Sequence, residues 1–208
     1  MVESGALEKR YAGNGIEGSN PSLSAWFNKI LIFMDTSKLI INTERMSLVP
    51  ISLKYGADIC KEFTKEITTH MVPQPSGKIE DVIAFIEKSL NKMRAGKTIQ
   101  QAIINIESGE FLGCVGLHDI DIKNPKLGIW IKASAHGNKY GREAVRVLKD
   151  WADQNLEYEY LEYPVTVENI PSRKIVESLG GKIEREYIDK NQNGEAMNEL
   201  EYRIYKRI

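Results

Sequence analysis

The chain has 208 residues, 42% apolar and 27% charged, with a formal net charge of -1 at pH 7; that length carries one domain with a real core, and the near-neutral balance argues against a nucleic-acid binder. Cys60 and Cys114 lie far apart and share no motif with a histidine, so neither a disulfide framework nor a metal site is expected, and a reduced, cytoplasmic protein is. No stretch approaches the roughly 18 apolar residues that span a bilayer, so no membrane association is expected.

Residues 1–33 differ in character from residues 34–208. "YAGNGIEGSNPSLSA" is polar, rich in Gly, Ser and Asn, and without periodicity, the composition of a loop or disordered tail. Gly18-Ser19-Asn20-Pro21 can be encoded by GGTTCGAATCC, which resembles the T-arm of a transfer-RNA gene. The expectation is that residues 1–33 are an extension arising from a misplaced start, that Met34 is the natural one, and that residues 34–208 form the domain. "WFNKILIFM" (26–34) lacks the basic leader and cleavage site of an export signal.

From Lys38 the elements come in order. "LIINTERMSLVPIS" alternates as one strand with an irregular start. "LKYGADICKEFTKEI" reads as one helix with Ile59, Phe63 and Ile67 at four-residue spacing, and the prolines and glycine of "THMVPQPSG" end it. "KIEDVIAFIEKSLNKMRAG" is a second helix with Val82, Phe85, Ile86 and Leu90 on one stripe and Gly96 to stop it. "TIQQAIINIE" and "FLGCVGLHDI" form a hairpin across "SGE", and "PKLGIWIKAS" is a third strand. "REAVRVLKDWADQN" is a helix with Val145, Leu148, Trp151, Ala152 and Leu156 inward. "YEYLEYPVTVEN" is a strand, "PSRKIVESLGG" a short helix, and "KIEREYI" pairs with "ELEYRIYK" in a last hairpin. The layout β-α-α-β-β-β-α-β-α-β-β is of the α+β class.

Chemistry is expected at two helix starts. At 136–142, "HGNKYGR" leads from a strand into a helix, whose unpaired N–H groups and dipole receive anions such as phosphates. Gly137 and Gly141 would allow close backbone approach, and Lys139 and Arg142 add positive charge. The spacing matches neither the Walker loop nor G-x-G-x-x-G, and an ordinary strand-to-helix turn explains the loop equally well. In "ENIPSRKIVESLGG", Asn169 precedes a short helix on which Ser172, Ile175, Val176 and Leu179 share a face. The serine then points with the apolar stripe, although a capping role explains both polar residues as well.

Taken together, "LGIWIKASAHGNKYGREAV", "VENIPSRKIVESLGG" and the element order resemble the GNAT superfamily of acetyl-CoA-dependent N-acetyltransferases. The nearest likeness is the RimJ/RimL type, which acetylates ribosomal-protein N-termini and related amines. The resemblance covers Leu39 to Lys206 and implies the GNAT fold, a mixed, mostly antiparallel sheet with helices on both faces. It implies acetyl-CoA as co-substrate, no metal, and a protein N-terminal α-amine as acceptor. Alternatives are a small-molecule amine (polyamine, amino sugar or antibiotic) or a non-catalytic acyl-CoA-binding module; a homodimer is compatible with each.

The family's pyrophosphate loop, Arg/Gln-x-x-Gly-x-Gly/Ala, falls on His136, Lys139 and Gly141, so Gly137, Asn138, Tyr140 and Arg142 are expected at the diphosphate with them. Lys139 stands where the family has glycine. A splay between the strand carrying Trp130 and Ile131 and the strand "YPVTV" would admit the pantetheine arm. An N–H near Ile131 would face the oxyanion, Asn169 would bond pantetheine, and Ser172 would sit by the thioester sulfur. Many members begin the strand before the loop with a glutamate; here the matching residue is Lys126. His118 is the sequence's candidate base, because imidazole titrates near neutrality. An α-amine with pKa near ~8 is roughly a tenth uncharged at pH 7, a lysine-type amine well under a thousandth, so the absent carboxylate leans toward an α-amino acceptor. Tyr187 and Tyr202 are expected in the core, and "KNQNGEAMN" as a mobile connection.

Overall fold

The computed structural model describes residues 35–206; the extension of residues 1–33 and the start at Met34 lie outside the described residues. Among the described residues, one sheet contains β1 (Ile41–Asn42), β2 (Met46–Pro50), β3 (Thr98–Asn105), β4 (Phe111–His118), β5 (Lys126–Ile131), β6 (Tyr160–Thr166), β7 (Lys182–Lys190) and β8 (Ala196–Tyr205). They lie in the order β1-β2-β3-β4-β5-β6-β8-β7. Every neighbouring pair is antiparallel except β5 with β6. One face carries α1 (Gly56–Glu62), α2 (Lys65–Thr68) and α3 (Ile79–Arg94); the other carries α4 (Tyr140–Asn155) and α5 (Ile170–Glu177).

Two expected elements are broken in the structure. The single strand at 39–52 is the β1–β2 hairpin, because the Thr43 hydroxyl accepts from the N–H groups of Arg45 (3.2 Å) and Met46 (3.0 Å) and turns the chain. The single helix at 53–67 breaks at Phe63, where Thr64 accepts from the Ile67 N–H (3.4 Å) and caps the new helix α2.

Helix α4 packs as its periodicity dictates. Ala144, Val145, Leu148 and Ala152 are fully buried with Leu117, Leu161 and Tyr202 of the sheet in the larger core. Gly113 is required where β4 bulges: its φ is +150°, and a Cβ there would sit 2.2 Å from the Trp130 carbonyl oxygen. That backbone contact fixes β5 close against β4.

On its other side β5 is nearly free. It meets β6 at one register pair, Lys126 with Glu162, and the Glu162 N–H donates to the Pro125 carbonyl (2.9 Å). Beyond that point the strands part. Strand hydrogen bonds alternate in direction, so the next β6 residue facing β5 is Pro164. Proline has no N–H to donate and is normally confined to sheet edges; here it lies where the neighbour has turned away. Lys132 donates to the Leu112 carbonyl (2.9 Å), and the same alternation turns the N–H and C=O of Ile129 and Ile131 away from β4, toward the gap.

Candidate active site

A cavity of about 750 Å³ reaches through this gap. Ile59 and Phe63 of the α1 segment and Val82 and Phe85 of α3 give it an apolar wall; Gly128 and Trp130 form part of the sheet floor. Trp130 is held by Phe63 (ring centroids 5.2 Å apart) and Phe111 (5.7 Å). Residues 70–77 roof the cavity. The β7–β8 connection, expected to be mobile, is tied to that roof: Gln192 donates through its N–H to the Val72 carbonyl (3.0 Å), and its side-chain oxygen accepts from the Gln74 N–H (2.9 Å). Within the turn, Asn191 accepts from the N–H groups of Asn193 and Glu195, both at 3.0 Å.

At the start of α5, Asn169 is the N-cap and accepts from the Ser172 N–H (3.2 Å). Ser172 is half-buried and its hydroxyl lies 2.8 Å from the Tyr163 hydroxyl. All three line the cavity. Burial pushes the Tyr163 phenol up to about 12, against the opposing effect of its bond to Ser172. The phenol is therefore protonated at any working pH and can donate to Ser172, leaving the serine hydrogen free to point elsewhere. Tyr163 was missed in sequence because a strand tyrosine reads as packing.

The loop before α4 lies outside the cavity lining, at the end of β5. Gly137 has φ +80°, and Lys139 is the N-cap of α4 with φ 62° and ψ 12°. Lys139 thus adopts the left-handed conformation that glycine would take at no cost. The His136 Nε2 donates to the Ile131 carbonyl (2.7 Å), and the Asn138 side chain donates to the Ala135 (3.3 Å) and His136 (3.1 Å) carbonyls. Gly141 is buried, and a Cβ there would meet Ile175 at 3.2 Å and Ile131 at 3.5 Å. It allows α4 to close on α5 and β5.

Arg45, in the β1–β2 turn, holds this loop from outside. It pairs with Glu143, donates to the Asn138 carbonyl (3.2 Å) and stacks on the Tyr140 ring (4.8 Å to the centroid). Nothing in the local sequence links residue 45 to residue 138; the partnership is tertiary.

Two groups on the cavity wall are suited to accept a proton. His118 ends β4, partly exposed to solvent, with Nδ1 3.0 Å from the Thr98 hydroxyl. That hydroxyl donates to the Leu117 carbonyl (3.0 Å), so the ring N–H belongs on Nδ1 and Nε2 carries the lone pair. Desolvation, with a smaller contribution from Lys92, holds the imidazole below its ordinary value against the pull of Asp119. Lys126 pairs with Glu162 at 3.4 Å. The second group escaped the sequence reading: Glu199 of β8, only 3% exposed, with Oε2 unpartnered among the described residues. Desolvation first, then Asp189 and Glu168, push its carboxyl up to about 7. In sequence it alternates with the core residues Leu200, Tyr202 and Ile204 and so reads as a solvated position.

Of the expected tyrosines, Tyr202 is in the core, with its hydroxyl donating to Glu177 (2.7 Å), whereas Tyr187 borders the cavity. Of the expected site residues, Trp130, Asn169, Ser172 and His118 meet around one space; Ile131 and residues 136–142 continue from its floor strand. Among the described residues, no group of three or more His, Cys, Asp or Glu could hold a metal ion.

A splayed parallel pair within an otherwise antiparallel sheet, with a helix start at the splayed end, is a frame for an extended thioester. The acetyltransferase (GNAT) domain profile matches residues 45–182, and the chain belongs to that family. Acetyl-CoA is the co-substrate and the protein is an N-acetyltransferase. It is 27% identical over 140 residues to the uncharacterized N-acetyltransferase p20 of Bacillus licheniformis, covering 66% of this chain and 79% of that one. The structure is similar to the spermidine N-acetyltransferase of Vibrio cholerae in complex with CoA and spermine (TM-score 0.69, 15% identity, 79% of this chain and 97% of that one). It is also similar to the microcin C7 self-immunity acetyltransferase MccE in complex with acetyl-CoA and AMP (TM-score 0.69, 18% identity, 78% and 93%).

Proposed function

We propose that the chain transfers the acetyl group of acetyl-CoA to the α-amine of a peptide or protein N-terminus, which enters the cavity end-on. The observation that carries this reading is the composition of the acceptor side. An apolar wall of Ile59, Phe63, Val82 and Phe85 faces a lining in which Glu199 is the buried acid, while Asp81 and Asp189 are exposed. A polyamine presents several ammonium groups and favours several carboxylates at a spacing; one ammonium beside an apolar side chain suits this lining better. An α-amine also needs the least help to lose its proton at neutral pH.

In this reading the backbone of Ile129 and the side chain of Asn169 receive the pantetheine arm, and residues 136–142 the diphosphate. The amine attacks the thioester carbonyl, and the N–H of Ile131 faces the developing oxyanion. Ser172, accepting from Tyr163, directs its own hydrogen to the departing sulfur. His118, the proton acceptor expected from the sequence, presents a free Nε2 on the cavity wall. No described helix is long and apolar enough to cross a membrane, and a cytoplasmic setting is part of the proposal.

A small-molecule amine is the second reading, favoured by the Gln192–Val72 tie that encloses the roof. Thiol release by the full chain with acetyl-CoA separates the two. Peptides with free N-termini are expected to exceed spermidine, an aminoglycoside and N-blocked lysine peptides by at least about tenfold in kcat/KM. Faster turnover of spermidine or the aminoglycoside overturns the peptide assignment, and acetyl-CoA binding without turnover of any amine points to a binding module.

A further inference from the structure

We propose that Glu199 takes the ammonium proton of the acceptor amine, and that Thr166 seats the amine beside it. Thr166 and Glu199 are register partners on β6 and β8, so their side chains stand together on the same face of the sheet. Thr166 is 2% and Glu199 3% exposed, yet Thr166 Oγ1 and Glu199 Oε2 both lack a partner among the described residues. Two neighbouring buried polar atoms left unpaired are costly unless something completes them. An amine donates to both.

Glu201, two residues along the same strand, shows the contrast. It is equally buried, and Arg185 (2.5 Å) and Arg203 (3.1 Å) donate to its two oxygens. The strand neutralises one glutamate and leaves the other facing the cavity. Thr166 also closes β6 immediately before the turn to Asn169, and Glu199 beside it lines the cavity. The groups facing Glu199 are Tyr187 and Asp189 of β7 and Glu168 after β6, with Asp81, His70, His118 and Lys126 elsewhere on the cavity lining. With a carboxyl held near 7, Glu199 can exchange a proton at working pH.

The proton balance is complete. Ionised Glu199 takes one proton from the ammonium, and the freed lone pair forms the C–N bond. The tetrahedral intermediate collapses as the C–S bond breaks and its electron pair leaves with sulfur. The second proton on nitrogen passes to that sulfur through Ser172, giving amide and free thiol, and Glu199 returns its proton to water.

This inference rests on acetyl transfer to an amine but not on which amine, so the test uses a turnover readout and a binding readout. In the full chain with saturating acetyl-CoA, Glu199→Gln is expected to lower kcat about 100-fold or more. It should also abolish the rise of the kcat–pH profile near pH 7, with the acetyl-CoA dissociation constant within about twofold of wild type. Glu199→Asp should restore part of the rate. In calorimetry on the CoA-loaded chain, glycinamide should bind at least about tenfold more weakly to Glu199→Gln at pH 7.5 and equally to both proteins at pH 5.5; Thr166→Val should give a smaller loss. A kcat within threefold of wild type, a profile flattened by His118→Asn instead, or unchanged glycinamide binding overturns the proposal. Should free N-termini prove poor acceptors while another amine shows the Glu199-dependent limb, the peptide reading falls and this one stands.

Discussion

On the face of the sheet covered by α4 and α5, apolar side chains fill the space between helix and strand. On the face covered by α1 to α3, the small cluster of Ile51, Ile59, Ile86, Met93, Ala102, Phe111 and Cys114 lies to one side and gives way to the cavity. There large apolar residues such as Phe85 remain 44% exposed, and Glu199 is buried without a partner for Oε2 among the described residues. One face holds the fold and the other withholds contacts for a ligand to make. That division is what a cofactor-dependent transferase needs: a rigid frame for the thioester beside a loosely filled acceptor space.

The comparison breaks most sharply under truncation. Leu148→Ala, on the filled face, is expected to lose about 2–5 kcal/mol of stability, seen as a shifted denaturant midpoint. Phe85→Ala, on the open face, should lose less than about 1 kcal/mol while changing the KM for the acceptor severalfold. Equal losses would mean that the two faces are packed alike.

Next in size is the pH dependence contributed by Glu199. Its carboxyl is raised from an ordinary 4.5 to about 7 on folding. A group that holds its proton more tightly when folded contributes stability that is full below pH 4.5 and lost as pH rises through 7. Glutamine does not titrate, so Glu199→Gln should gain on wild type between pH 5 and pH 8, by up to about 3 kcal/mol and a few degrees in melting temperature. A constant difference across that range would show that the carboxyl titrates normally.

Smaller effects test the polar seam joining the faces. Ser172→Ala should lower kcat by about 10-fold and Tyr163→Phe by about 5-fold, each the loss of one hydrogen bond of about 1 kcal/mol, without comparable weakening of acetyl-CoA binding. An unchanged kcat in Ser172→Ala removes the serine from the path of the departing sulfur.

Legibility in the sequence divides along the same line. The filled face repeats at 3.6 and 2 residues, so α4 and the strands under it could be read directly, and the short helix with its Asn169 cap was visible from Pro171 and the spacing of Ser172 to Leu179. The resemblance located the two helix starts and the splay, and Pro164 was an unread signal for that gap. The open face has no such periodicity. The break at Thr64 depends on a side chain outcompeting the helix ladder, and the burial of Glu199 depends on the 70–77 roof and the docked Gln192. Arg45 reaches Asn138 across 93 residues of chain. Those features exist only once distant segments meet.

The smallest expected effect concerns Lys139, where the frame itself departs from the family pattern. A non-glycine residue in the left-handed region costs on the order of 1 kcal/mol, partly offset because glycine loses more freedom on folding. Lys139→Gly should therefore stabilise the chain by a few tenths of a kcal/mol, whereas Lys139→Ala keeps the strained geometry and removes the charge. If both variants weaken acetyl-CoA binding about equally, the ammonium is what the lysine contributes at the diphosphate. If Lys139→Gly binds as tightly as wild type and Lys139→Ala does not, the backbone turn controls binding, and the lysine is tolerated there because Arg45 and Asn138 hold the loop in place.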